Sequence, residues 1–473
     1  MNAPSFQFLG FAVAGAVLFN LSGALVWRRL ILLGLNLVFF SLFASGFVAV
    51  LPYAAFLLVG FASIGILRVR PSRPLFLLCL ALVLFGFFWL KRYTFIPATL
   101  SLSFIYTTIG LSYVFFRVLH LVIEVGQGGL KQPVSLLSYL NYTLHFPALI
   151  SGPIQMYPEY HRQEQQERLP LDVFAIGQAT WRIAVGFFKV FIVSAVLMQA
   201  QQAAIAALTP DLPLANRVFH SAIIGAIYPL FLYANFSGYT DFVIGVARLY
   251  RFELPENFDN PFVSENFITF WSRWHITLSN WLKTYVYMPL LITFMRRIPS
   301  RAAEPYFAVF AYFVTFFLVG AWHGQTSMFL FFGVLQGGGV AMNKLYQIVM
   351  TDRLSRKGYR ALCGQPVYRA LARGLTFTWF AFTLLWFWSS WQQLGGLIGT
   401  ATLPAFLLGW LLVLVTASVV LALVVAVQDY LAGYSWVRTR YTRTVFATGM
   451  MTIVLASVAI LASPAPDIVY KNF

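Results

Sequence analysis

The chain has 473 residues, of which 60% are hydrophobic and 10% charged, and its mean hydropathy is +0.76. Soluble domains carry about 25% charged residues, so the composition excludes a water-soluble fold and points to a bilayer, where lipid-facing surface is as apolar as a core. The formal net charge is +17, but the cations stand in short clusters between apolar runs, as in Arg28-Arg29, Arg68 to Arg73, Arg296-Arg297 and Arg353 to Arg360. That pattern fits cytoplasmic loops against a phospholipid membrane and argues against nucleic acid as a partner.

A spanning helix needs about 20 mostly apolar residues. In chain order such runs begin near Leu9, Leu30, Leu51, Leu75 and Leu100, then near Val134, Ile176 and Ala222, and then near Tyr306, Ser327, Leu375, Ala405 and Val445. This predicts an all-α integral membrane protein with about a dozen apolar segments, some of them short or re-entrant. No basic residue precedes the first run, so it reads as a retained span and not a cleaved signal peptide. Positive-inside alternation holds for the first spans and becomes ambiguous at Lys91-Arg92. With no fixed-period repeat and no low-complexity linker, residues 1–473 read as one integral domain, with a motif core at 135–350 and a C-terminal span and tail at 444–473. Cys79 and Cys363 are far apart and lack metal-type spacing, so neither a structural disulfide nor a metal site is expected.

Two stretches break the apolar pattern. Met156 to Asp172 is polar and reads as a surface loop or short helix. Arg251 to Arg301 is too polar for a chain of lipid-facing spans, yet dense in Trp, Phe and Tyr. Within it, a helical period from Phe270 to Tyr285 puts Trp271, Trp274, Leu278, Trp281 and Tyr285 on one face, which predicts an amphipathic helix at headgroup depth. No acidic residue lies between Glu265 and Glu304, whereas Arg273, Lys283, Arg296, Arg297 and Arg301 do, so this segment is expected on the cytoplasmic face. His275 sits beside the aromatic stripe, either as a hydrogen-bonded interface histidine or as part of a site.

From Tyr306 to Tyr346 the chain is almost continuously apolar, apart from the break Gly320-Ala321-Trp322-His323-Gly324-Gln325-Thr326-Ser327. A histidine that deep in apolar sequence is a candidate functional residue, and its flanking glycines let a helix end and a neighbour approach. The alternative is a helix-turn-helix in which His323 only caps or packs. Asp241, also within an apolar run, needs a buried partner, with Arg248 or a histidine as candidates, and reads as structural more readily than catalytic. His120 and His145 make weaker candidates, and His161 and His220 flank polar segments.

Four blocks follow one another in the chain: PALISGPIQMYPEY (Pro147 to Tyr160), NFSGYTDFVIGVARLYRFELPENFDNPF (Asn235 to Phe262), FWSRWHITLSNWLKTYVYMPL (Phe270 to Leu290) and GAWHG (Gly320 to Gly324). Together they resemble the membrane-bound O-acyltransferase (MBOAT) family, in the bacterial branch of the alginate O-acetylation and teichoic acid D-alanylation proteins. The resemblance implies a helical funnel or tunnel in the bacterial cytoplasmic (inner) membrane. There a thioester donor, acetyl-CoA or a carrier-protein thioester, meets an acceptor hydroxyl, with no tightly bound cofactor. It matches the family's central catalytic histidine to His323, its second histidine to His275 and the acidic position of the SGYxD block to Asp241. Trp322 and Asn280 are taken as supporting positions. The implied activity is O-acylation, acetyl first, of an exported polysaccharide, with an extracytoplasmic acyltransferase partner passing the group to the glycan. D-alanyl transfer to a teichoic-acid-type polymer and a non-catalytic transporter are the alternatives. The sequence after Leu290, LITFMRRIPSR, lacks the Gly- and Asn-rich stretch of alginate-type members, which leaves the acceptor open. Residues Ile468 to Phe473 resemble an FxYxxF motif of the family, so Tyr470 is either an acyl relay or an interfacial belt residue.

Overall fold

In the computed structural model, residues 4–166, 171–434 and 439–461 are described. Tyr470 and its motif lie outside them. The described residues divide into two compact units, one comprising residues up to Phe188 with Gly238–Pro255, the other comprising Lys189–Ser237 and residues 256–461.

The first unit holds α1 (Phe6–Asn20), α2 (Leu25–Ser41), α3 (Phe47–Val69), α4 (Arg73–Leu90), α5 (Leu111–Gly126), α6 (Leu136–Thr143), α7 (Tyr157–Gln165) and α8 (Val173–Phe188). Helix α5 packs on α3 and α4 and is buried on nearly every side. It carries Arg117 at 2% exposure, which explains the neighbouring irregular segment. After α6 the backbone leaves the helix through a 3-10 turn at Phe146–Ala148 and runs non-helically to Met156, yet it is almost wholly buried. Non-helical carbonyls at depth need donors. Arg117 supplies them, donating from Nη1 to the Thr143 carbonyl (3.0 Å) and from Nη2 to the Ala148 carbonyl (2.8 Å). Asn36 accepts from the Phe146 N–H at 2.8 Å. The predicted run at Val134 is therefore no span, because Pro147, Gly152 and Pro153 interrupt it. His120 is structural here, since its Nε2 accepts the Tyr157 N–H at 3.0 Å. The polar stretch from Met156 is the short helix α7, with Tyr157, Tyr160 and Glu164 buried.

Helix α9 (Ala195–Ala207) belongs to the second unit, and α10 (Leu214–Leu249) contributes its residues through Ser237 to the second unit and the rest to the first. The second unit continues with α11 (Phe267–Trp271), α12 (Ile276–Leu282), α13 (Met288–Arg297), α14 (Glu304–His323), α15 (Ser327–Gly364), α16 (Pro366–Thr383), α17 (Leu385–Trp388), α18 (Trp391–Ala401), α19 (Leu403–Ala432) and α20 (Arg440–Leu461). Helices α14 and α15 form a tight hairpin, and α16 packs along α19.

Among the described residues, eight helices are long and apolar enough to cross a membrane, beginning at Phe47, Arg73, Val173, Leu214, Glu304, Pro366, Leu403 and Arg440. The chain is an all-helical, multi-pass membrane protein, and its described residues hold fewer candidate spans than the dozen or so apolar runs. The difference has local causes. Helix α1 has 15 residues, short for a span, and α2 has 17, at the lower limit, with Arg28 and Arg29 near its start. The run at Leu100 forms only a 3-10 turn before α5. Helix α15 is long enough but polar towards its C-terminal half, and it breaks at Ser355 (φ 61°, ψ 166°).

Candidate active site

The period of the aromatic stripe from Phe270 to Tyr285 predicts one continuous interfacial helix. The structure corrects this in two ways. The helix is broken into α11 and α12, followed by a π-turn at Lys283–Tyr287, and the stripe is interior: Trp271, Trp274, Leu278 and Trp281 are 4% exposed or less. The break falls on His275, whose backbone is left-handed (φ 46°, ψ 52°). Histidine is among the residues enriched in this conformation outside glycine. The conformation is fixed from both sides. Phe258 bridges Trp274 in antiparallel fashion, and the Asp259 N–H donates to the Arg273 carbonyl at 3.0 Å. The Asn257 carbonyl accepts from the Ile276 N–H at 3.0 Å. Its side-chain Oδ1 accepts both the Thr277 N–H (3.2 Å) and the Thr277 hydroxyl (2.7 Å).

His275 is therefore presented from a turn, not along a helix face, and is 1% exposed. Its ring meets Phe236 edge-on at 4.9 Å between centroids and Trp322 at 6.4 Å. His275 lies outside the eight candidate spans. Burial pushes its imidazolium down to about 3, so it is neutral at any physiological pH.

His323 is the last residue of α14 and is 6% exposed. The chain turns at once: Gly324 is extended, and α15 begins at Ser327. Two glycines make the turn possible. A Cβ on Gly320 would overlap the Gly333 backbone and the Phe329 carbonyl oxygen, and one on Gly324 would overlap the Phe329 ring. Rings from three helices surround His323, at centroid distances of 4.6 Å to Trp322 beside it on α14, 5.0 Å to Phe387 on α17, and 6.0 Å to Phe332 and 6.4 Å to Phe329 on the returning α15. Trp322 is within ring contact of both histidines. The shell is aromatic on each of these sides, and its buried nitrogens belong to the two imidazoles and the Trp322 indole.

The model of the MBOAT, membrane-bound O-acyltransferase family matches residues 74–387, which include all four motif blocks and both histidines. The chain belongs to that family. It is 31% identical over 231 residues to a teichoic acid D-alanyltransferase of Bacillus subtilis (strain 168), covering 48% of this chain and 56% of the relative. It is 28% identical over 347 residues to a probable alginate O-acetylase AlgI of Pseudomonas putida, covering 69% of this chain and 67% of the relative. A peptidoglycan O-acetyltransferase of Helicobacter pylori is 31% identical over 220 residues, covering 45% of this chain and 38% of the relative. The chain spans about half the length of most of the curated relatives it matches.

Asp241 lies in the first unit, where Arg182 on α8 pairs with it at 2.8 Å. The guanidinium that reaches it is thus Arg182, 59 residues upstream, and sequence proximity to Arg248 is no guide. Asn280 is exposed on α12. Asn257, not singled out from the sequence, is 0% exposed and shapes the His275 turn. Its only signal is a lone amide in PENF, between an acidic residue and a phenylalanine, which is weak without the fold. Among the described residues no group of three or more His, Cys, Asp or Glu side chains stands together.

Proposed function

We propose that this chain is a membrane O-acyltransferase. It moves an acyl group, acetyl in the main reading, from a cytoplasmic thioester donor to a hydroxyl of an exported cell-surface polysaccharide. The observation that carries this reading is the pair His275 and His323 about Trp322 inside an aromatic shell. Neutral imidazole is the general base best matched to cytoplasmic pH. In the proposed step His323 takes the proton from the acceptor hydroxyl as its oxygen attacks the thioester carbonyl. The carbon–sulfur bond then breaks and the thiolate leaves with that proton. Neutral His275 holds the donor or acceptor in place, or donates to the carbonyl oxygen as negative charge develops there. The ring shell keeps water from hydrolysing the donor.

The donor in this scheme is acetyl-CoA or a carrier-protein thioester arriving at the cytoplasmic side of a bacterial inner membrane. From Phe267 to Arg301 the chain carries five cations and no acidic residue, which supports placing this segment on that side. An extracytoplasmic acyltransferase would receive the group, with Tyr470 as a relay ester, a role supported by the FxYxxF resemblance alone. A second reading, D-alanyl transfer, is favoured by the teichoic acid D-alanyltransferases among the relatives, at 31% and 28% identity.

The test uses the full chain in proteoliposomes. Labelled acetyl-CoA or a D-alanyl carrier protein is supplied on the cytoplasmic side, and a hydroxylated glycan with its acyltransferase on the other. Ester formation from acetyl-CoA that is abolished in His323→Ala supports the main reading, and ester formation only from the carrier protein supports the second. Label that crosses without forming an ester, or wild-type turnover by a well-inserted His323→Ala, refutes acyl transfer at this site.

A further inference from the structure

Within the second unit, α15, α16, α19 and the segment Glu265–Phe267 border a half-open cavity of about 680 Å³ that shares no residue with the histidine site. Its size falls in the roughly 300–1,000 Å³ range of small-molecule sites, and its two ends differ in chemistry. At one end the hydroxyls of Tyr346 and Tyr368 stand 3.3 Å apart, and the Glu265 carboxylate is held by Arg369 (2.6 Å) and Arg373 (2.8 Å). At the other end the walls are Leu375, Leu414 and Trp379, with the Trp379 indole packed over Gly339 where a side chain would collide with it.

The polarity runs along the helices. On α16 the lining passes from Tyr368 through Leu371 and Leu375 to Trp379, about 16 Å at the helical rise. That is close to one leaflet of a hydrocarbon core roughly 30 Å thick. The polar end is also the cationic end. Helix α15 breaks at Ser355, and the stretch after it brings Tyr359 and Cys363 onto the cavity, with the Tyr359 ring 6.2 Å from that of Tyr346. Around this break Arg353, Arg356, Lys357 and Arg360 are exposed, with Asp352 the one acidic neighbour, and Arg356 and Arg360 lie within one helical turn of the lining residues Tyr359 and Cys363.

We propose that this cavity holds one anionic phospholipid of the cytoplasmic leaflet, an acyl chain lying along Leu371, Leu375 and Trp379 and the headgroup phosphate facing Arg356, Lys357 and Arg360. A zwitterionic lipid would fill the apolar body equally well but would gain less from these three clustered cations, whereas the cytoplasmic leaflet is the one enriched in anionic headgroups. The proposal needs only the chain's place in a membrane and stands apart from the acyl-transfer reading.

Native mass spectrometry of the full chain, released from mild detergent with equal dioleoyl-phosphatidylglycerol and dioleoyl-phosphatidylcholine, tests it. The expected result is one retained phosphatidylglycerol, preferred about tenfold over phosphatidylcholine, a difference of about 1.4 kcal/mol. Ala372→Trp, which fills the middle of the cavity, should lower retention of both lipids about tenfold. The triple exchange Arg356→Gln, Lys357→Gln and Arg360→Gln changes only exposed side chains and should keep retention while equalising the two lipids. Equal retention of both lipids by the wild type, or unchanged selectivity in the triple variant, would overturn the proposal. Displacement of the lipid by acetyl-CoA would overturn it too, by assigning the cavity to the acyl donor.

Discussion

Asn257 holds Thr277 by two hydrogen bonds to one oxygen, from the backbone N–H at 3.2 Å and the hydroxyl at 2.7 Å, two residues beyond His275. An N–H can only donate, so the orientation of the Asn257 amide is fixed by its partner. The buried turn that aims His275 therefore depends on a side chain 18 residues upstream. Asn257→Ala leaves two buried donors without their acceptor, at a cost of about 1–3 kcal/mol. If His275 serves acyl transfer, the shifted turn should also lower kcat by about 10- to 100-fold. Thr277→Ser keeps both donors and should stay near wild type, whereas Thr277→Val should fall between the two. Thermal unfolding and acyl transfer measured on the same preparations check this, and wild-type kcat in Asn257→Ala would remove the turn from the mechanism.

The buried state of His275 has a pH signature. Its folded value is pushed down by burial to about 3, against 6.5 in an unfolded chain. Between these values the unfolded chain binds a proton that the native state refuses, so stability is fully present above about 6.5 and falls as pH is lowered towards 3. The slope for one such group is up to about 1.4 kcal/mol per pH unit. His275→Gln removes the group, so the stability difference between wild type and variant should shift in the variant's favour from pH 7 to pH 4.5. Unfolding midpoints in detergent across that range measure it. A constant difference would mean that the ring is hydrated in solution.

The Arg182–Asp241 pair at 2.8 Å joins α8 to the C-terminal part of α10, with side-chain exposures of 19% and 12%. Removing one partner leaves a poorly solvated charge, costing up to about 3 kcal/mol. Asp241→Leu or Arg182→Met alone should therefore reduce the yield of folded protein. The double variant discards both charges and should recover most of it, since apolar replacement of such a pair is often neutral. Fluorescence-detected size exclusion reports the yield and acyl transfer the function. A double variant that folds and works makes Asp241 structural, and one that folds but is inactive gives the carboxylate a part in the reaction.

The legible and illegible parts of this protein divide along physical lines. The eight long candidate spans among the described residues are readable because each is built around a long, mostly apolar run, and the GAWHG break is readable because a histidine between glycines stands out in such a run. Membership of the family is readable because the blocks around His275 and His323 keep their order and composition. The fate of the aromatic stripe is half readable. Trp271, Trp274, Leu278 and Trp281 are buried together as their period implies, but a turn at Trp274–His275 preserves that spacing while ending the helix. Neither Gly nor Pro marks the turn, since the left-handed residue is a histidine held by Asn257 from outside the segment. The buried loop after α6 reads as a span for a similar reason: its apolar residues resemble a helix, and the donor that lets it stay irregular, Arg117, comes from α5.

The return of α15 beneath His323 depends on glycine at positions where the hairpin has no room. A Cβ on Gly320 would strike the Gly333 backbone and the Phe329 carbonyl, which are main-chain atoms that no rotamer change can move aside. Gly320→Ala should therefore push α14 and α15 apart at the turn, destabilise the protein by about 1–3 kcal/mol and loosen the rings around His323. Gly338, on the same α15, has open space where a Cβ would stand, with no atom within 4 Å, so Gly338→Ala should gain up to about 1 kcal/mol from helix propensity. The two substitutions add the same methyl group to the same hairpin and are expected to act with opposite sign. Unfolding temperatures in detergent read the stability difference, and acyl transfer reads the state of the His323 shell. A Gly320→Ala protein as stable and active as Gly338→Ala would show that the hairpin yields at this crossing, and that the close approach of Phe329 to His323 is not what shapes the site.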